Sequence, residues 1–218
     1  MRRAITIGAV VGVAVLLSGC APDPPSAVVG IVVDACDPGE EVGSGAVVAP
    51  GLVLTSAHVV AGATDIQVRR NGGTVAATIV GFDPEMDLAY LSFDDRLRTT
   101  LDVSSDGVED GDVGVAWVVR DGEPLPLPVT IRRRVRINTE DIYIQGETVR
   151  PGFELEADIQ SGDSGGAVLV DGKVVGVVWA RSRRVEERAY AIDPVRAGDL
   201  IDAQLHDGIG DDIDLTRC

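Results

Sequence analysis

The 218-residue sequence predicts an all-β fold of two antiparallel β-barrels with a short C-terminal helix, and three features carry that expectation. The first is a set of short, β-branched, turn-punctuated runs at residues 28–34, 45–48, 52–55, 66–69, 74–82, 88–93 and 113–119, the pattern of barrel strands. The second is Asp121-Gly122-Glu123-Pro124-Leu125-Pro126-Leu127-Pro128. Three prolines in five residues resist both helix and central strand, so the stretch reads as a linker. The third is another set of strand-like runs at 128–138, 141–144, 152–158, 167–170, 173–180 and 188–192. These divisions place a first barrel at 28–120, a linker at 121–128 and a second barrel at 129–193. A helix and tail follow over 194–218, with Asp193 as the cap before Pro194.

Residues 1–20 read as a targeting segment. Arg2 and Arg3 precede an apolar run from Ala4 to Leu17 that is too short to favour a membrane span. Leu17-Ser18-Gly19-Cys20 resembles the lipobox of bacterial lipoproteins, which implies cleavage before Cys20 and acylation of that residue. A plain signal peptide is the alternative. Residues 21–27, with three prolines, form a tether that spans about 25 Å when extended, so a lipid on Cys20 holds the folded part close to the membrane.

Loss of Arg2 and Arg3 takes the 19 basic residues to 17 against 35 acidic, and the formal charge from −16 to −18. Such a surface repels phosphates and argues against nucleic acid or anionic headgroups as partners. With Cys20 assigned to lipid, two thiols remain, Cys36 and Cys218, and in an exported protein they are expected to pair. Closing so long a loop stabilises a fold by about 5 kcal/mol in the chain-entropy account.

The chemistry centres on Gln160-Ser161-Gly162-Asp163-Ser164-Gly165-Gly166-Ala167. A serine hydroxyl needs a base to remove its proton and N–H donors for the oxyanion that follows. Glycines on both sides let the amides of Gly162 and Ser164 face one small hole. Gly-Asp-Ser-Gly also fits the nucleophile elbow of α/β-hydrolases, but an elbow leads into a helix. Here two β-branched runs follow, around an Asp171-Gly172 hairpin turn.

The chain has two histidines. His206 lies in a polar tail, whereas His58 follows the apolar strand Leu52-Val53-Leu54-Thr55 and is the better base. The carboxylate that fixes its tautomer is best supplied by Asp87, with Asp83 and Glu85 as alternatives.

Thr55-Ser56-Ala57-His58, Asp87-Leu88-Ala89 and Gly162-Asp163-Ser164-Gly165-Gly166 together resemble, in order as well as content, the three catalytic motifs of the trypsin/chymotrypsin-fold serine proteases. The chain also resembles HtrA-type enzymes and the protease domains of actinobacterial membrane-anchored periplasmic proteases, here with a lipoprotein leader. The resemblance implies two six-stranded barrels with the site at their seam and an endopeptidase that works through an acyl-enzyme. It implies no cofactor or metal, and a peptide or protein substrate in the cell envelope. It also points to Asp158, six residues before Ser164, and Trp179 as walls of a specificity pocket. In trypsin-like zymogens a new amino terminus reaches the carboxylate before the serine, here Asp163. The superficially similar Val28-Val29-Gly30-Ile31 is better used as the first strand, so Asp163 is expected to find another partner, with the arginines of 181–188 as candidates. A reading from a different class is a catalytically latent lipoprotein that keeps the fold as a peptide-binding or scaffolding module.

Overall fold

The computed structural model describes residues 26–34, 40–70, 72–94, 99–209 and 215; Cys20, Cys36, Cys218, the leader and all but the last two tether residues lie outside these. Twelve strands make two closed barrels. The first is built from β1 (Val28–Asp34), β2 (Glu40–Ala49), β3 (Leu52–Thr55), β4 (Asp65–Arg70), β5 (Gly73–Asp83) and β6 (Leu88–Phe93), in the order β1-β2-β3-β6-β5-β4. The second contains β7 (Val113–Arg120), β8 (Glu123–Glu140), β9 (Glu147–Glu156), β10 (Ala167–Val170), β11 (Lys173–Arg181) and β12 (Arg188–Ile192), in the order β10-β11-β12-β9-β8-β7. Every pairing within the barrels is antiparallel.

Alternation along the strands fills each interior. Val29, Ile31, Val33, Val53, Val68, Phe82 and Leu91 make the first core, and Val118, Ile131, Phe153, Leu155, Val168 and Val175 the second. Two further apolar clusters draw on both barrels and join them. One packs Val28 and Ala46 against Trp117, Ala167, Leu169 and Val174, and the other packs Leu54, Leu88 and Tyr90 against Val177 and Ile192. Burial of this kind stabilises by roughly 25 cal/mol per Å² of apolar surface removed from water.

The sequence misplaces the division between the barrels. The expected linker 121–128 is a hairpin inside the second barrel: Asp121 (φ 53°) and Gly122 (φ 82°) form a two-residue turn, and β7 pairs with β8 from Val113↔Thr130 to Arg120↔Glu123. Residues 113–119 therefore belong to the second barrel, not the first. The prolines are tolerated because they occupy alternate positions. They pair with Val119, Trp117 and Val115 on β7, while β9 begins its pairing only at Thr130, so the missing N–H groups fall along one uncovered edge. The true crossover lies between β6 and β7, where Leu101 N donates to Val47 O and Val103 bridges Val174.

The run 141–144 is a turn rather than a strand, because the Asp141 carboxylate accepts from the amides of Tyr143 (2.8 Å) and Gln145 (3.1 Å) and outcompetes a ladder. At the C-terminal end, the helix expected over 194–204 is two helices broken at Gly198, α2 (Pro194–Ala197) and α3 (Asp199–Asp207). Asp193 caps α2, accepting from Val195 N and Arg196 N. Gln204 of α3 behaves like one more peptide unit at the edge of β5, its Oε1 accepting from Phe82 N and its Nε2 donating to Phe82 O. That clamp sits one residue before Asp83, where the turn carrying Asp87 begins.

Candidate active site

His58 lies in the single-turn helix α1 (Ala57–Val60), just after β3. The approach to it is held by two side chains: Thr55 Oγ1 donates to Ser44 O at 2.7 Å, and Ser56 Oγ donates to Val178 O of the second barrel at 3.2 Å. His58 keeps its side chain about one-third exposed.

Asp87 is buried and meets this histidine twice. The His58 amide donates to Oδ1 and the imidazole Nδ1 lies on Oδ2, both at 2.8 Å. Such a pair fixes ring orientation and favours the tautomer with the proton on Nδ1, leaving Nε2 as the acceptor nitrogen of the ring. Asp87 reaches this position with φ at 60°, unusual for a non-glycine residue. Asp83 makes that turn possible, since its Oδ1 accepts from the amides of Glu85 and Met86. Asp83 is therefore spent on the turn, and Asp87 is the carboxylate brought to His58. Burial pushes the Asp87 carboxyl up, but the His58 charge and hydrogen bond, the Arg150 charge and the His58 amide outweigh it and hold it below the usual aspartate range.

Ser164 comes from the loop before β10. Its carbonyl accepts from Ser44 N at 2.8 Å, and the next residue, Gly165, has φ at 82°. A Cβ on Gly165 would stand 2.1 Å from Ser44 O and 2.2 Å from Thr55 Oγ1, so only glycine lets the serine loop lie against the strand that delivers His58. Gly165 N donates to Val178 O, and Val178 N donates to Gly166 O, which ties the loop to β11. The preceding turn is closed by Asp163 N donating to Gln160 O at 3.3 Å with Gly162 at φ 94°, the type II form that needs a positive φ at its third residue.

Asp163, fully buried, is gripped by Arg120 from the end of β7, Nε to Oδ1 at 2.9 Å and Nη2 to Oδ2 at 2.6 Å, and Gln160 N donates to Oδ2 at 2.7 Å. The partner of Asp163 is thus Arg120 and not an arginine of 181–188; of those, Arg188 pairs with Glu154 at 3.0 Å. Of the two residues expected to wall a specificity pocket, only Asp158 lines the neighbouring cavity. Asp158 is exposed beside an open cavity of about 670 Å³ between 157–161 and 181–188, where Arg181, Arg188 and Glu187 also stand. Trp179 is outside that lining and packs edge-on against Tyr190, with the Arg150 guanidinium over the Trp179 ring, 5.1 Å from its centroid.

Sequence reasoning missed Ser44, Arg120 and Arg150. Ser44 Oγ accepts from Val119 N at 2.8 Å while its backbone serves Thr55 and Ser164, so one buried residue links both barrels to the serine loop. A serine in a Gly-Ser-Gly stretch, an arginine at a strand end and another within a strand carry no local signal for partners 43 to 120 residues away. Among the described residues, no three of His, Cys, Asp and Glu converge as a metal site.

The fold and this arrangement are those of the trypsin-like peptidase domain, whose family pattern matches residues 43–177, and the chain belongs to that family. The serine protease Rv3671c of Mycobacterium tuberculosis is 33% identical over 153 residues, 69% of this chain and 38% of that one. A probable periplasmic DegP-like serine endoprotease of Halomonas elongata is 32% identical over 177 residues, 76% of this chain and 35% of its own. The chain thus spans little more than a third of the length of these relatives. Among solved structures, the active form of the Mycobacterium tuberculosis Rv3671c protease superposes with a TM-score of 0.81 at 27% identity, covering 89% of this chain and 86% of that one. The inactive form gives 0.72, covering 85% and 90%.

Proposed function

We propose that the chain is a serine endopeptidase in which His58, Asp87 and Ser164 form the charge-relay triad. The observation that carries this reading is the double contact of Asp87 with His58, made beside a serine loop that can lie there only because residue 165 is glycine. In this mechanism His58 Nε2 takes the Ser164 hydroxyl proton as Oγ attacks the peptide carbonyl, and Asp87 stabilises the imidazolium that results. The amides of Gly162 and Ser164 receive the oxyanion, and loss of one such donor costs about 3 to 4 kcal/mol of barrier. His58 then protonates the leaving amine, and water repeats the sequence on the acyl-enzyme.

The grip of Arg120 on Asp163 supports a hole formed without a freed amino terminus, and the closer superposition on an active relative agrees with it. Fluorophosphonate labelling tests the assignment: wild type should label, and Ser164→Ala and His58→Ala should not. An unlabelled, folded wild type would instead favour the peptide-binding module.

The cell envelope is the proposed location, in keeping with the periplasmic relatives, with peptide or protein substrates there. Acylated Cys20 is the proposed anchor, tested by incorporation of labelled palmitate that Cys20→Ala abolishes. A Cys36–Cys218 disulfide is proposed as well. Leu215 O accepts from Gly62 N, and Thr64 N donates to Asp34 O, so the chain passes the two cysteines' neighbours along one edge of the first barrel. Mass analysis of alkylated protein without reductant should find no free thiol at either position.

A further inference from the structure

Arg150 is the largest fully buried side chain in the protein's described residues, and it lies against the turn that carries Asp87. It leaves β9 of the second barrel and crosses the seam. Its Nε donates to Glu85 O at 2.6 Å, and its Nη2 donates to Glu140 O at 3.1 Å and reaches Pro84 O at 3.4 Å. The guanidinium covers Trp179, and Nη1 stands 3.9 Å from Asp87 Oδ2, the oxygen that receives His58 Nδ1. Burying an arginine is costly, and carbonyl contacts alone do not require a permanent cation. A neutral donor would satisfy them.

We infer that Arg150 is a positioning residue of the charge relay, fixing the Asp87 turn against the second barrel and lowering the basicity of His58 by sharing its carboxylate. The inference rests on the triad proposed above. Its physical content is simple. A carboxylate flanked by a fixed cation stabilises an imidazolium less than a carboxylate that faces the imidazole alone, and the cation also repels the imidazolium directly.

The charged groups around this point are few. Asp83 and Glu85 stand on the turn itself, Asp141 faces Arg150 from the β8–β9 turn, and α3 presents uncharged Gln204 to β5. β11 contributes Trp179, also uncharged, and β6 contributes Leu88. Burial pushes the guanidinium's own affinity for its proton down, opposed by Asp87, Asp83 and Asp141, and it stays charged across the working range.

The test is a proton NMR titration of the two histidines, with His206→Gln to assign them. Wild type is compared with Arg150→Gln and Arg150→Met, both neutral, and with Arg150→Lys, which keeps the charge. The His58 midpoint should rise by about one pH unit in the two neutral variants and move by only a few tenths in Arg150→Lys. An unchanged midpoint in the neutral variants, or an equal rise in Arg150→Lys, would overturn the inference; two neutral variants are used so that misfolding of one leaves the other. Labelling by fluorophosphonate with Ser164→Ala and His58→Ala controls is read in the same preparations. Persistent labelling of those controls sinks the triad, whereas an unmoved midpoint with dead controls sinks only the role of Arg150.

Discussion

Arg120 holds both carboxylate oxygens of Asp163, one residue before Ser164, with its guanidinium supplied by the strand end that also docks on Ser44 through Val119. A two-pronged pair of this kind fixes direction as well as charge. The segment proposed to shape an oxyanion hole is therefore pinned from behind by a residue of the same chain.

Removing that pin should be costly. Arg120→Met leaves a fully buried carboxylate without its cation, and breaking one partner of such a pair typically destabilises by about 3 to 5 kcal/mol. Activity should fall with the hole, by about 10² to 10³ if one oxyanion donor is lost. Arg120→Lys should recover part of the stability and little of the rate, because an ammonium cannot reproduce the fork. Denaturant unfolding and the rate of fluorophosphonate labelling measure the two effects separately.

Gly165→Ala should be more damaging than its size suggests. The new methyl would meet Ser44 O and Thr55 Oγ1 near 2.1 and 2.2 Å, and the residue sits at φ 82°. Neither neighbour can yield, since Thr55 Oγ1 already donates to that carbonyl. Strain of both kinds together should cost more than about 3 kcal/mol and lower the melting temperature by well over 5 °C. Gly172→Ala is the control: it has φ at 77° but nothing within 4 Å, so only the backbone term should appear.

These positions also mark what sequence alone could and could not disclose. The strand runs, the Asp171-Gly172 hairpin and the three motifs were legible because each is local: β-branched residues, a turn dipeptide, a serine among glycines. The same dipeptide at 121–122 was missed because three prolines nearby argue against a strand unless one edge is known to be uncovered. Arg150 and Ser44 act across the seam and Arg120 within the second barrel, and nothing in their own neighbourhoods says which carbonyl or carboxylate they will meet. The environment of Asp158 is of the same kind: its spacing from Ser164 is visible in the sequence, but that its exposed carboxylate lines a cavity with Arg181 and Arg188 depends on where β11 and β12 are placed.

Specificity follows from that placement. Asp158 shares its cavity with Arg181 and Arg188 and accepts from Gln160 Nε2 at 3.4 Å, so its charge is exposed to water and partly countered. Solvent and neighbours of opposite sign screen such a carboxylate. Asp158→Asn should therefore change kcat/KM for arginine and alanine at the residue before the scissile bond by similar factors, each under about tenfold. A selective loss for arginine, measured with matched peptide substrates, would show that the carboxylate does read the substrate.

The Asp87–His58 pair contributes to how stability answers to acid. Because the folded protein holds the Asp87 carboxyl below its ordinary value of about 4, the ionised form is favoured by folding. Its contribution is then fully present above that ordinary value and disappears as pH falls through the depressed one. Asp87→Asn removes this dependence. The difference in unfolding free energy between wild type and Asp87→Asn should be largest near neutrality and shrink steadily below about pH 4, as read by urea unfolding at a series of pH values. The same variant should lose about 10⁴ in kcat at neutral pH, since the asparagine amide favours the wrong imidazole tautomer. A stability gap that stayed constant into acid would mean that His58 and Asp87 are not coupled as their 2.8 Å contacts require.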